Sequence, residues 1–406
     1  MRPLATLTNA SMTRNKYQHR PFYLRMANLA GHLPGLGGSL NPDGLTKKAV
    51  QKTNLSDFGL DSWRDGFFRL CESLEDEAEL NFVGRMSARS HLTQLLVNRL
   101  QVQAARSSDV RIAQQTIPAP VIISGLPRSG STLLHGLLAQ DPAIRVPWTW
   151  EVMLPCPLPG QKRAHDRRRI ERTDSMLKWV DRLAPRFRTV HPNGAELPQE
   201  CIAITAHEFA SVEFHTTFNV PSYQKWLDKQ DGLAAMHYHK VFLQHLQIHG
   251  EAGRWCLKAP AHLYTLAALA KVYPDARFVF TQRDPLKVAA SIASHGVILR
   301  SAFSDVVDIA AVADYWVKWW AEGWQRANQF RTGHAVVDLD YETLVADPIQ
   351  AVRTLYSGLM MRLTDEAEQN MRLFLSANPQ DKHGRHRYTL EEFGLKPAKV
   401  RSLFGG

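Results

Sequence analysis

The sequence lacks any apolar run long enough to cross a membrane. A membrane-spanning helix needs about 20 consecutive apolar residues, whereas the hydrophobic 44% of this 406-residue chain is scattered along its length. Residues 1–23 are basic and polar and contain no apolar segment of the kind found in secretory signals. We therefore expect a globular protein that begins with a frayed arm.

Cysteine is scarce, and its spacing excludes two common uses. Cys71, Cys156, Cys201 and Cys256 are far apart and form no CxxC pair. Such spacing predicts neither a disulfide framework nor a zinc site. No set of carboxylates suggests another metal site. We expect a cytoplasmic protein, kept in a reducing setting, that holds no metal.

Acidic residues are outnumbered, and the formal net charge is +10. This excess of positive charge favours an anionic partner. The charge alone allows a nucleic acid, an acidic lipid surface or a polyanionic nucleotide. Basic and acidic residues interleave through most of the chain, and no nucleic-acid-binding motif is present. We expect no nucleic-acid partner, while peripheral contact with a membrane stays open.

Hydrophobic periodicity divides the chain into three regions. Residues 1–45 form a basic arm that ends in a glycine-rich loop, and residues 46–116 carry leucines at helical spacing. Residues 117–406 contain short buried strands that alternate with helices. The predicted strands are 121–124, 277–281 and 335–339. The helices around the first two strands are predicted at 132–140, 264–272 and 286–294.

This alternation predicts an α/β fold of the P-loop-like type, a doubly wound parallel sheet flanked by helices. A helical insertion at about 148–255 separates the first two predicted strands. We expect it to cap the carboxyl ends of the strands, where α/β folds bind ligands.

The most specific pattern follows the first strand, at residues 125–132, which read Gly-Leu-Pro-Arg-Ser-Gly-Ser-Thr. A Walker P-loop reads G-x-x-x-x-G-K-[ST]. Gly125, Gly130 and Thr132 match it, but Ser131 stands at the lysine position. Because that lysine neutralises the β- and γ-phosphates of a triphosphate, ATP chemistry is poorly supported.

The loop still predicts an anion site. Backbone N–H groups at a helix N-terminus bind anions, and Gly130 lets the backbone approach closely. Arg128 adds a guanidinium that can form two parallel hydrogen bonds to a phosphosulfate. The predicted binding residues are Arg128, Ser129, Gly130, Ser131 and Thr132.

Residues 127–142, PRSGSTLLHGLLAQDP, resemble the 5′-phosphosulfate loop of sulfotransferases that use 3′-phosphoadenosine 5′-phosphosulfate (PAPS). The arginine-containing version is similar to tyrosylprotein sulfotransferases and to a large bacterial group. Residues 283–285, Arg-Asp-Pro, with Ser291 eight residues after Arg283, resemble the 3′-phosphate motif of the family. Residues 255–260 and 273–277 resemble its K-x-P and P-D-A-R stretch.

A basic segment near the C-terminus, residues 382–388, is similar to a K-H-G-x-H-x-Y segment of the bacterial group. It adds Lys382, His383, Gly384 and Arg385 to the candidate nucleotide-binding residues. The whole resemblance covers about 118–395. It implies sulfuryl transfer from PAPS to an acceptor hydroxyl without a metal, leaving adenosine 3′,5′-bisphosphate.

The resemblance also implies roles for residues in this transfer. Arg128 and the loop would bind the 5′ side of PAPS, and Arg283 with Ser291 the 3′ side. Lys258 and Arg128 would stabilise the charge that develops on the leaving oxygen.

The identity of the general base stays open. Glu151 ranks first, because tyrosylprotein sulfotransferases carry a glutamate shortly after the loop helix. His262, four residues past Lys258, ranks second. Glu196 and Glu200 in the insertion are further candidates.

Aromatic residues of the insertion favour a small-molecule or lipid-like hydroxyl acceptor, such as a lipid, glycolipid, sterol or phenol. They are Trp148, Trp150, Phe209, Phe214, Phe218, Tyr223 and Trp226. The tryptophans at 316, 319, 320 and 324 follow helical spacing, and most of them are predicted to be core. The alternatives are a P-loop kinase that uses ATP and a non-enzymatic binder of anions or nucleic acid.

Overall fold

The computed structural model describes residues 20–30, 37–157, 166–183, 193–248, 250, 252–378 and 389–405. Among the residues described, no helix is both long and apolar enough to span a bilayer. The basic segment with Lys382, His383, Gly384 and Arg385 lies outside the described residues, so its binding role stays a prediction.

Five parallel strands form one sheet in the order β2-β3-β1-β4-β5. They are β1 (Val121–Gly125), β2 (Ile144–Arg145), β3 (Arg254–Lys258), β4 (Arg277–Gln282) and β5 (Val336–Asp340). The structure confirms the three predicted strands. It adds β2 and β3, which the sequence pattern missed because β2 has only two residues and β3 contains no β-branched residue.

Helices cover both faces of the sheet, which confirms the doubly wound α/β prediction. The helices around the strands are α6 (Ser131–Leu138), α13 (Leu266–Val272), α14 (Pro285–Phe303), α15 (Ile309–Phe330), α16 (Tyr341–Ala346), α17 (Pro348–Gly358), α18 (Asp365–Ala377) and α19 (Pro397–Phe404). Successive strand residues alternate between two cores. Val121 and Ile123 pack with α6, α17 and α18, whereas Ile122 packs with α13, α14 and α15.

The N-terminal region is helical, as predicted, but it starts earlier than expected. Its helices are α1 (Phe22–Ala30), α2 (Pro42–Thr53), α3 (Trp63–Asp76), α4 (Phe82–Ser108) and α5 (Val110–Gln114). The segment interpreted as an arm and loop therefore contains α1 and the start of α2. Asn81 caps α4 by accepting a hydrogen bond from the Gly84 N–H at 2.8 Å.

The insertion is also helical, as predicted. It contains α7 (Thr149–Met153), α8 (Asp166–Leu183), α9 (Cys201–Thr205), α10 (Glu213–Thr217), α11 (Pro221–Leu227) and α12 (Leu233–Gln247). Arg99 of α4 ties it to the N-terminal helices. The buried Arg99 guanidinium donates to the His207 carbonyl at 3.2 Å and pairs with Glu208 at 2.5 Å.

Most aromatic residues expected to line an acceptor site are core instead. Phe209, Phe214, Phe218 and Tyr223 are buried in one cluster with the apolar faces of α3 and α4. They are buried because these two helices otherwise leave apolar faces uncovered. On α15, Trp316, Trp319 and Trp320 are buried as predicted.

Candidate active site

The carboxyl ends of three neighbouring strands meet at the centre of the sheet. The chain leaves β1 towards β2 and β3 on one side and later returns to β4 and β5 on the other. A crevice opens where strand order reverses in this way. It receives the loop 126–130 after β1, Lys258 at the end of β3 and Arg283 directly after β4.

The loop after β1 has the backbone of an anion cradle. Gly125 has φ +136° and Gly130 has φ +88°, while Arg128 is a non-glycine residue with φ +64°. A left-handed arginine costs about 1–3 kcal/mol and is found where function requires it. Left-handed residues on either side of Ser129 turn successive N–H groups to one side. The free N–H groups of the first turn of α6 follow directly.

Gly125→Ala is expected to lower the free energy of unfolding by about 3 kcal/mol or more. A Cβ at this position would lie 2.2 Å from the Thr281 carbonyl oxygen, and φ is in the left-handed region. Urea unfolding measures the change. Gly333→Ala is the control, because a Cβ at Gly333 meets nothing within 4 Å. Equal stability of the two variants would contradict the loop geometry.

Ser129 holds the loop in place through its side chain. Its buried hydroxyl donates to the Leu126 carbonyl at 2.5 Å and lies 2.6 Å from the Thr281 hydroxyl on β4. Of the loop's other hydroxyl residues, Ser131 is buried, whereas Thr132 is exposed at the mouth of the crevice. Ser129 can therefore reach an anion through its backbone N–H, and Thr132 through its side chain.

Lys258 places an ammonium beside the loop, in which Ser131 occupies the position of the Walker lysine. It pairs in register with Ile123 of β1, so its buried side chain extends beside the loop. Its Nζ donates to the Thr132 hydroxyl at 3.3 Å and forms an ion pair with the Glu200 carboxylate. The lysine and the carboxylate thus come from a neighbouring strand and from the insertion.

Arg283 reaches the same loop from β4. Its NH1 donates to the Arg128 carbonyl at 2.9 Å, and its guanidinium stacks 3.8 Å from the centre of the Tyr341 ring. Its Nε is buried without a hydrogen-bond partner. That N–H is a donor available to an anion. Ser291 is half-buried, two turns into α14.

No sequence motif singles out Tyr341. A Cβ on Gly130 would lie 3.2 Å from the ring of Tyr341, so this ring supports both the loop and Arg283. Tyr341 is the first residue of α16, after β5. A tyrosine directly after a strand of the sheet was the only available signal.

Glu151 lies in a buried ion pair with Arg145 at 2.9 Å, and it accepts a hydrogen bond from the Trp148 N–H at 3.2 Å. Burial raises the pKa of its carboxyl, while Arg145 opposes that rise. In the sheet, Arg145 of β2 lies beside Trp255 of β3. Trp255 is three residues before Lys258, so this position is about 10 Å from Lys258 along the strand. The carboxylate of Glu151 therefore caps α7 and pairs with Arg145, away from the end of β3. These partners disfavour the predicted role of Glu151 as general base.

His262 is buried near Lys258 and Glu200. Its Nδ1 lies 3.3 Å from the Thr265 hydroxyl, and its Nε2 has no hydrogen-bond partner. Burial lowers the pKa of His262 to about 4, against the opposing charge of Glu200. The imidazole is therefore neutral at neutral pH. The side chain of Glu196, by contrast, is exposed on the segment before α9.

A cavity of about 120 Å³ adjoins this group of residues. Its lining includes Cys201, His262, Trp226, Asp228 and Trp319. Its volume is close to that of a cavity that accepts a single benzene ring. Of the insertion aromatics predicted to face an acceptor, Trp226 is the one found in this lining.

Known proteins are similar to this chain in sequence and in fold. The sequence profile of the Sulfotransferase family matches residues 120–365, more than half of the chain. Omega-hydroxy-beta-dihydromenaquinone-9 sulfotransferases Stf3 of Mycobacterium bovis and Mycobacterium tuberculosis are each 24% identical over 336 residues, which cover 73% of this chain and 82% of the relative.

Two crystal structures are similar over most of their length. Sulfotransferase STF1 from Mycobacterium tuberculosis H37Rv matches with a TM-score of 0.79 and 30% identity, covering 90% of this chain and 98% of that one. Sulfotransferase STF9 from Mycobacterium avium matches with a TM-score of 0.80 and 27% identity, covering 89% and 94%. The chain therefore belongs to the sulfotransferase family and is a transferase enzyme.

Proposed function

We propose that this sulfotransferase takes its sulfuryl group from PAPS and delivers it to the hydroxyl of a lipid-like alcohol. The observation that carries the donor is the hydrogen bond from Arg283 to the Arg128 carbonyl. It brings the two predicted anion-binding groups to one crevice, and one adenosine carrying a 5′-phosphosulfate and a 3′-phosphate requires both.

The charges in the crevice suit this donor. The loop N–H groups, Arg128 and Lys258 provide donors for the 5′-phosphosulfate. The unpartnered Nε–H of Arg283, with Ser291 on α14, provides donors for the 3′-phosphate. The loop has no lysine to neutralise a triphosphate, because Ser131 occupies the position of the Walker lysine.

Transfer is an in-line displacement. The acceptor oxygen bonds to sulfur while the bond from sulfur to the bridging oxygen breaks. The bridging oxygen keeps the electron pair and leaves as part of adenosine 3′,5′-bisphosphate. Lys258, beside Thr132 at the loop, offsets this developing charge.

We assign the acceptor proton to Glu200. Its carboxylate is paired with Lys258 beside the loop, so it lies in the crevice that an acceptor hydroxyl would enter. His262 is the second candidate, because its neutral ring has an unpartnered nitrogen and lies close enough for the charges of Glu200 and Lys258 to act on it. Glu151 is engaged with Arg145 instead.

Two observations favour a lipid-like alcohol as acceptor. The cavity beside His262 has Trp226 and Trp319 in its lining, and such walls suit an apolar body. The Stf3 relatives are named for a hydroxylated menaquinone derivative. An acceptor screen with radiolabelled PAPS, comparing long-chain alcohols, sterols, phenols and sugars, tests this class. Sulfation of sugars alone would exclude it.

Arg283→Ala is expected to weaken binding of adenosine 3′,5′-bisphosphate at least about tenfold, because charge-assisted hydrogen bonds to phosphate are strong. Arg128→Ala is expected to abolish turnover. Titration calorimetry and turnover of labelled PAPS measure the two effects. Arg353→Ala is the control, since Arg353 pairs with Glu368 on the surface. Tighter binding of magnesium ATP than of the bisphosphate would favour a kinase.

A further inference from the structure

The cavity of about 120 Å³ that adjoins Glu200 and His262 is here called the acceptor cavity, and it carries a carboxylate in its wall. The carboxylate belongs to Asp228, a half-buried residue directly after α11. His262 and Cys201, which follows Glu200 in the chain, border the same cavity. A molecule that fills the acceptor cavity therefore lies against both His262 and Asp228.

Both hydrogen bonds that Asp228 forms with described residues end on the same oxygen. The Gln224 Nε2–H donates to Oδ1 at 2.8 Å, and the Trp319 Nε1–H donates to Oδ1 at 3.1 Å. A carboxylate has about four lone-pair sites on its two oxygens. The second oxygen, Oδ2, has no hydrogen-bond partner in the described part of the chain, so it can accept from a ligand.

The two donors hold the Asp228 carboxylate in one orientation. Gln224 is buried on α11, and Trp319 is buried on α15. The Tyr264 hydroxyl donates to the Trp319 carbonyl at 2.6 Å, and the two aromatic rings stack with their centres 4.0 Å apart. Since the donors come from two packed helices, Oδ2 occupies a fixed position in the cavity wall.

Neutral groups alone donate to this carboxylate among the residues that the structure describes. Arg326, a basic residue of the same cavity lining, pairs with Glu322 at 2.7 Å. Burial raises the pKa of the Asp228 carboxyl, and the hydrogen bonds from Trp319 and Gln224 oppose that rise. A carboxylate withdrawn from water is stabilised by further donors. It therefore favours a ligand that donates a hydrogen bond and disfavours one that only accepts.

A second observation points to a polar ligand group in the acceptor cavity. Because the Gln224 amide nitrogen donates to Asp228, its Oε1 is fixed as an acceptor. This Oε1 and the His262 Nε2 are buried without a hydrogen-bond partner, and both residues line the cavity. Buried polar atoms in proteins are normally hydrogen-bonded. Unpartnered acceptors around one cavity indicate a ligand with more than one donor.

We propose that Asp228 determines acceptor specificity, because its Oδ2 accepts a hydrogen bond from a second donor group of the acceptor, a hydroxyl or an ammonium. The inference rests on the proposed function, since it takes this cavity as the acceptor site. The cavity has about the volume that one ring requires. The acceptor is therefore a compact alcohol with an apolar body and a second donor besides the hydroxyl that is sulfated.

Three alcohols built on one ring test the proposal. They are para-benzenedimethanol, its monomethyl ether, and para-(aminomethyl)benzyl alcohol. The first offers a second hydroxyl, the third an ammonium, and the ether an oxygen that cannot donate. Wild-type enzyme saturated with adenosine 3′,5′-bisphosphate is expected to bind the diol or the amine at least about tenfold more tightly than the ether. Titration calorimetry measures the affinities, and labelled PAPS measures kcat/KM.

Asp228→Asn isolates the second oxygen. The asparagine oxygen can still accept from Gln224 and Trp319, whereas an amide NH2 replaces Oδ2. The preference for diol or amine over ether should fall at least about tenfold. Because the methyl group of the ether has the same bulk in both proteins, this change in the ratio reports the lost acceptor. A purely structural role of Asp228 would change the three affinities alike.

Asp43→Asn is the matched control, because Asp43 is exposed on α2 and its substitution removes the same charge. It should keep the wild-type ratio, and both variants should keep the wild-type melting temperature and affinity for the bisphosphate. Equal binding of the three alcohols by the wild type, or no binding of any, would overturn the inference. An unchanged ratio in Asp228→Asn would do so as well. Sulfation of other alcohols from PAPS would still leave the proposed function standing.

Discussion

Glu200→Gln is expected to lower the turnover number about 1,000-fold and to leave the affinity for adenosine 3′,5′-bisphosphate within about threefold. Glutamine keeps the shape and an oxygen that accepts from Lys258, but it cannot take the acceptor proton at neutral pH. Glu200 is paired with Lys258, and Lys258 also contacts Thr132 of the loop. Single-turnover measurements with labelled PAPS separate the chemical step from binding.

Two variants serve as controls for the role of Glu200. Glu196→Gln lies four residues earlier on the same segment with an exposed side chain, and it should keep turnover within about threefold. His262→Asn tests the second candidate base and should keep turnover within about tenfold. A loss in His262→Asn as large as in Glu200→Gln, or near-normal turnover in Glu200→Gln, would contradict the assignment.

Acidification from pH 7.5 to 5.5 is expected to lower the free energy of unfolding by about 5 kcal/mol. Burial lowers the pKa of His135, His207 and His239 to about 3, and that of His262 to about 4. The unfolded chain regains ordinary histidines with a pKa near 6.5. Below that pH the unfolded state binds protons at these histidines and the folded state does not, so the free energy of unfolding falls as the pH falls.

Each of these four histidines contributes about 1.4 kcal/mol per pH unit below 6.5. The total is a large part of the roughly 5–15 kcal/mol that stabilises a typical protein. Urea unfolding at a series of pH values measures it. A free energy of unfolding that stays level between pH 7.5 and 5.5 would show that these side chains are not buried in their neutral form.

His239→Asn isolates one histidine. The ring of His239 is buried on α12, with Nδ1 2.9 Å from the Tyr273 hydroxyl. Its removal should reduce the slope of stability against pH by about one proton. His237→Asn on the same helix is the control, because that side chain is exposed and its surroundings change little on unfolding. Equal slopes in both variants would count against the role of burial.

The best predictions from the sequence concern local structure. The loop 125–132 is a contiguous segment between a strand and a helix, and the positions of its backbone N–H groups follow from that context. The strands β1, β4 and β5 carried β-branched and aromatic runs that identify buried parallel strands. The strand β3, Arg-Trp-Cys-Leu-Lys, carried no such run, yet the sheet places it beside β1.

The weakest predictions concern partners that are distant in the sequence. Lys258 and Glu200 are 58 residues apart, and no local pattern distinguished Glu200 among the four candidate bases or indicated its pairing with Lys258. The family resemblance ranked Glu151 first, whereas in the structure its carboxylate pairs with Arg145 and caps α7. Nothing in the pattern indicated that Phe209 and Phe214 would be needed to cover α3 and α4.

The sequence by itself determined the glycine-containing loop between a strand and a helix, the α/β class and the family resemblance, because these depend on neighbouring residues and on the periodicity of burial. Only the tertiary structure decided which ammonium group lies beside the loop, which carboxylate is paired with it, and which aromatic side chains stay exposed. Those choices depend on how strands and helices far apart in the chain pack against each other, since a side chain's charge and burial are set by neighbours that local patterns do not specify.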